Sequence, residues 1–448
     1  MVEPLLVGLD VGTTSTKAVV LTLDGREIAH GRAHTPWTVT PDGAELEAPE
    51  LGTAVRAALA QALAAAPEAP VAGVGVASMA ESGVLLNAAG RPVAPIIAWH
   101  DRRDHLEVTE LTDAVGFESF ETTTGLPLRG QWSLTKHRWL TRHWPSATAA
   151  VRRLNIAEWI VHDLGGDQAS ETSLASRTGW LRLRERRWWA ETLAWSGASE
   201  RLLPPLRQAG QSWGAITTGE VDTRLAGAVL TVAGHDHQAA SVGVGATAVG
   251  AELDSCGTAE ALVRTVAAGL PEGAVGSLAH GGITVGWHVL AGRWCLLGAT
   301  EGGLTLGRTL QQLGCTQADL ARLDLAALEL ESTPVHIANG ETGLVLCGVD
   351  AGLRPAHVWR AALEQVTEEA ARLHQLMSQV SGPAQELVAT GGWSHSEGLM
   401  RIKHRLLGPV ARPPVTEAGA RGAALLAGLA AGIYRDDSEL PQPHPSLI

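Results

Sequence analysis

The sequence predicts an α/β protein built in two halves, and three observations carry that prediction. Short apolar runs alternate with a helical pattern over the first hundred residues. The same alternation restarts near Ala226. Each half also opens on two apolar runs joined by a turn that contains Gly-Thr, at Gly12-Thr13 and at Gly257-Thr258.

The elements follow in chain order. "LLVGLDV" and "AVVLTL" read as two strands, and Asp24-Gly25 is a hairpin signal before a third, "REIAHGRA". "PELGTAVRAALAQALAAAP" reads as a helix bounded by Pro49 and Pro67, with Leu51, Val55, Leu59 and Leu63 on one stripe. "VAGVGVASM" is apolar throughout, as a strand buried on both faces must be. "GRPVAPIIAWHDRR" is a loop leading into a further strand. Residues 105–215 are rich in Trp and Arg, with helix-like pieces at Leu134–His143 and Leu154–Leu164. Next, "LAGAVLTVAG" is a strand, and "GATAVGAELDSCGTAEALV" is strand, turn, strand. "HVWRAALEQVTEEAARLHQLM" is a long helix with Val358, Ala362, Val366, Ala370, Leu373 and Met377 along one face. "ELVATGG" is a strand running into a glycine turn, and "EGLMRIKHRLLG" is a helix stopped by Gly408. "EAGARGAALLAGLAAGIY" closes the chain as a buried helix of small residues. The border between the halves is expected within residues 237–250, giving domains 1–237 and 238–448.

Composition narrows the function. In 448 residues, 45% are hydrophobic and 18% charged, enough for packed cores. The net charge of −13 disfavours nucleic acid or an anionic membrane as main partner. No uninterrupted apolar run reaches the ~18 residues of a membrane span. Cys256, Cys295, Cys315 and Cys347 form no CxxC pair, and no signal-peptide pattern opens the chain, so a cytoplasmic protein with reduced thiols is expected.

Four stretches carry chemistry. "VAGHDHQAAS" flanks Asp236 with His235 and His237. Either the two imidazoles hold a metal, or Asp236 alone is the working group; a polar loop after a strand is the plain alternative. In "GLDVGTTSTKAVV", Asp10 ends a strand and Gly12, Thr13, Thr14 and Ser15 form a turn before Lys17. Such a turn wraps a phosphate chain with N–H groups and hydroxyls, and Asp10 is suited to a Mg²⁺ ion bridging the phosphates. A polar hairpin is the alternative there. The stretch is not a Walker loop, because a strand rather than a helix follows. "LDSCGTAEAL" repeats the idea with Gly257 and Thr258, which suggests a duplicated phosphate clamp. In "LVATGGWSHSEGLM", Gly391 and Gly392 let a flat adenine ring approach the backbone, with Ser396 nearby; a strand-to-helix turn is the alternative.

Taken together, these stretches resemble the FGGY carbohydrate kinases, a family that includes xylulokinase and glycerol kinase. The likeness runs from "GLDVGTTSTKAVV" to "GARGAALLAGLAAGIY". On the way it includes "GRPVAPIIAWHDRR", "GLPLRGQWSLTKHRWL", "ETSLASRTGWL", "AGHDHQAAS", "DSCGTAEAL" and "ATGGWSHSEGLMRIKHRLLG", in the family's order. The resemblance implies two actin-like (ribonuclease H-like) ATPase domains flanking a deep cleft, and MgATP-dependent phosphorylation of a sugar or polyol hydroxyl. It implies Asp236 as catalytic base, with His237 facing the sugar, and Asp10 acting through Mg²⁺. It also places Gly298 among the ATP residues. The segment Met79-Ala80-Glu81-Ser82 stands where xylulokinases have Gln-Met-His-Gly and glycerol kinases Gln-Arg-Glu-Thr. Glu81 matches the glycerol-kinase acid. Trp99, Asp101 and Arg103 match the family's Trp-x-Asp-x-Arg. Gln131 stands at an aromatic sugar contact, with Trp132 after it; for Trp99 and Trp132, core packing competes with sugar stacking. Lys136 and Trp139 match the first family signature, while His137 replaces an apolar residue. The second signature, near "GVDAGLRPAHVWRAALE", is compressed. The acceptor expected is a ketose such as xylulose, with ribulose, erythritol, glycerol or gluconate as alternatives. A non-catalytic actin-like nucleotide-binding regulator is the reading outside enzymes, and a homodimer stays open.

Overall fold

The computed structural model describes residues 2–443 apart from residues 42, 218–220, 272, 341–342 and 349–351. Residues 349–351 of the compressed second signature therefore lie outside the described residues. The chain opens on a meander of β1 (Leu5–Val11), β2 (Ser15–Leu21) and β3 (Glu27–His34), with Gly25 at φ +84° turning the second hairpin. Helix α1 (Ala48–Ala64) buries the predicted stripe of Leu51, Val55, Leu59 and Leu63. Strand β4 (Val71–Ser78) is apolar and runs parallel to β1. The strand expected after "GRPVAP" is only the pair Ile96–Ile97.

Helix α2 (Ser133–His143) falls where expected. The helix expected over Leu154–Leu164 begins later. Arg152–Asn155 pairs with Gly83–Leu86 as a strand, and α3 (Ile156–Asp163) starts at a capping box of Asn155 and Glu158. Asn prefers this cap position because its side chain satisfies a helix N–H that has no intrahelical partner. The one-turn helix α4 (Thr172–Ala175), β5 (Val229–His235) and α5 (Asp236–Gly243) follow. Beyond them come β6 (Ala251–Cys256), β7 (Glu260–Ala267), β8 (Arg293–Thr300), α6 (Gly302–Gln312) and α7 (Leu320–Leu328). The chain ends with α8 (Pro355–Ser381), β9 (Glu386–Thr390), α9 (Glu397–Leu407) and α10 (Ala418–Ala430).

Two sheets result, and they repeat one plan. The first has the order β5-β4-β1-β2-β3, with β4 parallel to both β1 and β5. The second contains β8-β7-β6-β9 in that order; β6 and β7 form an antiparallel hairpin, and β9 runs parallel to β6. In each, a Gly-Thr hairpin lies beside a parallel strand whose carboxyl end delivers further candidate residues. The two halves predicted from the sequence are thus present as two similar sheets.

The compact units do not divide at 237/238. Among the described residues, one comprises 2–245, 267–295 and 417–443; the other comprises 246–266 and 296–416. So α5 and α10, expected in the second domain, pack with the N-terminal sheet. Small residues explain it. A Cβ on Gly8 or Gly75 would overlap the carbonyl oxygens of Ala420 and Ala423. A Cβ on Gly243 or Gly422 would overlap those of Ala418 and Ala239. Helix α10 therefore lies backbone-to-backbone on β1, β4 and α5, and Ala420, Ala423 and Ala424 are fully buried there.

Overpacking of a close contact costs roughly 1–3 kcal/mol. Gly422→Ala is expected to lower the urea midpoint by at least that equivalent, since it meets rigid backbone. Gly392→Ala, with nothing within 4 Å of its Cβ, is expected to change stability by less than about 0.5 kcal/mol. Equal effects in equilibrium unfolding would refute the packing account.

Candidate active site

The site is assembled at the carboxyl ends of β1, β4 and β5. Strand β5 shifts register between Val232 and Gly234, and Gly234 takes φ +86°. A Cβ there would meet Ser173 Oγ at 2.5 Å and Glu171 Oε2 at 2.9 Å. This bend hands the chain to α5, with His235 as N-cap and Asp236 as first helical residue. The His235 N–H donates to Ser173 Oγ (3.0 Å), and the Ser173 hydroxyl donates to Glu171 Oε2 (2.5 Å). Asp236 Oδ1 accepts from the His237 N–H at 2.7 Å and lies 3.0 Å from His235 Nδ1. Burial alone would raise the Asp236 pKa, but His237, His235 and these hydrogen bonds outweigh it and hold the carboxyl well below the usual range. Burial pushes His237 down. The His237 N–H that the carboxylate accepts lies at a helix N-terminus, where negative charge is favoured. His235, Asp236 and His237 do not form a metal-ligand cluster among the described residues; the imidazole of His235 is engaged in the cap.

Asp10 ends β1 in the same unit. Burial, and then the charge of Asp236, push its carboxyl up to about 7, with Lys17 acting against them. Its Oδ1 is buried without a hydrogen-bond partner. Beside Oδ2, a Cβ on Gly419 would come within 2.7 Å, so only glycine leaves that space. Lys17 pairs with Glu417 at 2.7 Å. Gly12 N–H closes the hairpin on Ser15 O (3.2 Å), and Thr14 O accepts from Thr35 N–H. Thr13 is fastened twice: its carbonyl accepts from Trp37 Nε1 (2.7 Å) and its hydroxyl from Trp99 Nε1 (2.9 Å). The indole of Trp99 is thereby committed to the hairpin.

Glu81 follows β4 and has φ +66°, one of two non-glycine residues in that region among the described residues. Such backbone strain persists only where the surroundings over-determine it, and it clusters at functional sites. Here the surroundings do so. The Glu81 carbonyl accepts from Ser133 Oγ (2.7 Å) and Arg153 Nη2 (2.9 Å). Its Oε1 accepts from Arg177 Nε (2.6 Å) and Gln131 Nε2 (3.2 Å). Arg177 lies over the ring of Trp132, 5.3 Å from its centroid. Trp132 is fully buried and donates to Pro127 O, so it supports the site from below rather than offering a face to a sugar.

Other predicted residues have structural roles. Met79 is buried in the main core. Asp101 accepts from Arg103 and from the Ala44 N–H, and Arg103 also reaches Glu45 at 2.5 Å, a buried strut. His137 is buried, with Nδ1 unpartnered, and burial takes its pKa down to about 4, so it packs as a neutral ring beside Trp180.

In the second unit, Gly257 and exposed Thr258 form the β6–β7 turn. Gly391 (φ +96°) and Gly392 are exposed after β9, and a Cβ on Gly391 would meet Cys256 O at 2.6 Å. Ser396 is buried; its hydroxyl donates to Asp324 Oδ2 and caps α9. Gly298 is buried against Leu373 of α8. Below the hairpin, the fully buried Lys403 ammonium bridges Asp254 and Glu260. Asp254, Cys256 and Glu260 are the group of metal-ligand type among the described residues, and the ammonium already supplies its positive charge.

Comparison with known proteins identifies the family and the fold. The model of the FGGY family of carbohydrate kinases, N-terminal domain, matches residues 5–243, and its C-terminal domain matches residues 327–431. The chain belongs to the FGGY family of carbohydrate kinases. A glycerol kinase of Aromatoleum aromaticum is 32% identical over 471 residues, covering 97% of this chain and 92% of that protein. The structure of a xylulose kinase from Rhodospirillum rubrum superposes with a TM-score of 0.85 at 24% identity, covering 99% of this chain and 94% of that one. That of Plasmodium falciparum glycerol kinase with ADP gives 0.87 at 18%, covering 99% and 93%. These structures share the two-domain, actin-like ATPase fold. This FGGY protein is thus a carbohydrate kinase, a phosphotransferase to an alcohol group that uses ATP.

Several residues around the site escaped the sequence reading. Arg177, Ser173 and Glu171 lie in "ETSLASRTGWL", inside the Trp- and Arg-rich stretch where one arginine looks like another. Arg153, Ser133, Glu417 and Gly419 carry no local signal at all. For Glu171 the buried position does have a readable consequence. Its Oε1 is unpartnered, and burial pushes its pKa up to about 7 despite the hydrogen bonds from Ser173. The folded state therefore keeps this proton at pH values where the unfolded chain has lost it. Stability from this group is full below the unfolded value near 4.5 and falls as pH rises to about 7. Glu171→Gln is expected to remove up to about 3 kcal/mol of that fall. Its stability relative to the parent should rise between pH 5 and 8 in denaturant titrations; a constant difference would refute the assignment.

Proposed function

We propose that this kinase transfers the γ-phosphoryl group of ATP to a hydroxyl of a neutral polyol or ketose, with Asp236 as general base. The observation that supports this most is the ionised, half-buried Asp236 at the N-terminus of α5, within electrostatic reach of Asp10. Phosphoryl transfer calls for alignment, charge neutralisation and a group that takes the proton of the attacking hydroxyl. Asp236 accepts that proton on its carboxylate, held in place by His235 and the α5 N-terminus. His237, neutral at its half-buried position, faces the acceptor. Glu81 orients the acceptor through hydrogen bonds from its hydroxyls. A sugar acid such as gluconate is disfavoured because the Glu81 and Asp236 carboxylates repel its own. Glycerol is the first acceptor to test, given the name of the relatives matched along the whole chain, and xylulose the second.

The residues at Asp10 fit a divalent cation: an orphaned buried oxygen, and space kept open by Gly419. Asp10 would hold Mg²⁺, which neutralises charge on the ATP phosphates when bound. In the first unit, Gly12, Thr13, Thr14, Ser15 and Lys17 offer N–H groups, hydroxyls and a cation to phosphate. The second unit carries Gly257 and Thr258 for phosphate, and the exposed Gly391-Gly392 turn for the adenine. Ser396 and Gly298 support these segments by capping and packing.

Asp236→Asn keeps the size of the side chain but removes the proton acceptor. Its kcat is expected to fall roughly 10²–10⁴-fold with acceptor KM little changed. His235→Ala is expected to be far milder. Near-normal turnover in Asp236→Asn would remove Asp236 as the base; ATP binding without turnover on any of a broad panel of sugars and polyols would instead favour a nucleotide-binding regulator. Asp10→Ala is expected to abolish Mg²⁺ binding measured by calorimetry on the MgATP-free protein, with folding intact. Unchanged Mg²⁺ binding would remove Asp10 from the metal site.

A further inference from the structure

Among its side chains, the Met79–Ser82 segment carries one strong hydrogen-bond acceptor, the Glu81 carboxylate, and no uncommitted donor. Met79 and Ala80 are buried and apolar, and the Ser82 hydroxyl donates to Ile97 O at 2.9 Å. Yet an acceptor hydroxyl has two needs. It donates to a carboxylate, and its lone pairs seek a donor. Arg177 meets the second need. Its Nε is bound to Glu81 Oε1 (2.6 Å) and its Nη1 to Thr284 Oγ1 (2.9 Å). Its Nη2 has no partner among the described residues, and neither does Glu81 Oε2. Both atoms keep solvent access, since neither is among the buried polar atoms left unpaired. The guanidinium is only 8% exposed and lies against Trp132, so it has little freedom to turn away.

We propose that Arg177 is an acceptor-binding residue. Glu81 Oε2 and Arg177 Nη2, held together by the Nε–Oε1 bond, form one acceptor and one donor that read two neighbouring hydroxyls of the substrate. The pair is built from distant parts of the chain, 96 residues apart. It selects a vicinal diol in a fixed orientation, because an isolated hydroxyl satisfies one atom and leaves the other desolvated. The inference rests on the reading of this chain as a polyol or ketose kinase with Asp236 as base.

The test uses the full chain with saturating MgATP and an ADP-release assay. The acceptors are glycerol with 1,2-propanediol and 1,3-propanediol, and xylulose with its monodeoxy analogues. In the parent protein, removing either of the two neighbouring hydroxyls is expected to lower kcat/KM by about 10³-fold or more, as for sites built on buried hydroxyl bonds. Arg177→Gln is expected to erase discrimination at one hydroxyl and Glu81→Gln at the other, each to below tenfold, with KM for ATP within threefold of the parent. Arg177→Lys keeps the charge without the fork and is expected to behave as Arg177→Gln; calorimetric MgATP binding reports that each variant is folded. If the arginine variants relax discrimination at the same hydroxyl as Glu81→Gln, or at none, Arg177 acts only by holding Glu81 and the proposal is overturned. If neither arginine variant folds, the parent alone decides, and loss at a single hydroxyl overturns the paired site. A parent that phosphorylates nothing in the panel overturns the functional reading itself, a result distinct from an active parent with unaltered arginine variants.

Discussion

The backbone-to-backbone contact of α10 with β1, β4 and α5 is the constraint on which the first unit depends. Gly8, Gly75, Gly243 and Gly422 each remove a side chain at a point where two backbones approach. Any larger residue there would separate the layers and lose dispersion contacts along the whole helix. The contact also has a chemical consequence. By lying so close, α10 brings Gly419 beside the Asp10 carboxylate and Glu417 to Lys17. The end of the chain thus completes a site begun by its first ten residues. Helix α5, which presents Asp236, is held by the same contact.

Around that frame the protein treats its buried and half-buried acids in different ways. Asp236 stays ionised through His237 and His235 beside it and the His237 N–H at a helix N-terminus. Asp10 keeps a buried oxygen without a hydrogen-bond partner, and burial with the charge of Asp236 pushes its carboxyl up to about 7. Glu81 is paired to Arg177 on one oxygen and keeps the other. Glu171 accepts three hydrogen bonds on one oxygen and braces the bend before His235. Burial raises the energy of every charged form, so what distinguishes these four is the donors each one is given.

The second unit repeats the plan of sheet and hairpin with a different internal solution. Lys403 from α9 bridges Asp254 and Glu260 on the two strands of the Gly257–Thr258 hairpin. Removing the lysine would leave both buried carboxyls without a cation, which ties α9 to the hairpin. The close approach of Gly391 to Cys256 O brings the glycine turn against the same hairpin. The second phosphate-binding candidate and the adenine candidate are therefore in direct contact within this unit.

The sequence by itself determined the elements and the chemistry-bearing motifs. Strands and helices were legible because hydrophobic period and Gly or Pro punctuation are local properties: α1, α8, α9 and both Gly-Thr hairpins lie where the pattern placed them. Asp10, Glu81 and Asp236 were legible because each stands in a short motif. Tertiary structure alone decided which unit α5 and α10 join, because small residues signal a close approach without naming its partner. It also decided that Trp132 is a floor rather than a sugar platform, that Ser396 is a cap, and that Arg177 belongs to Glu81. Those outcomes depend on contacts between residues far apart in the chain, whose geometry exists only once the sheets have formed.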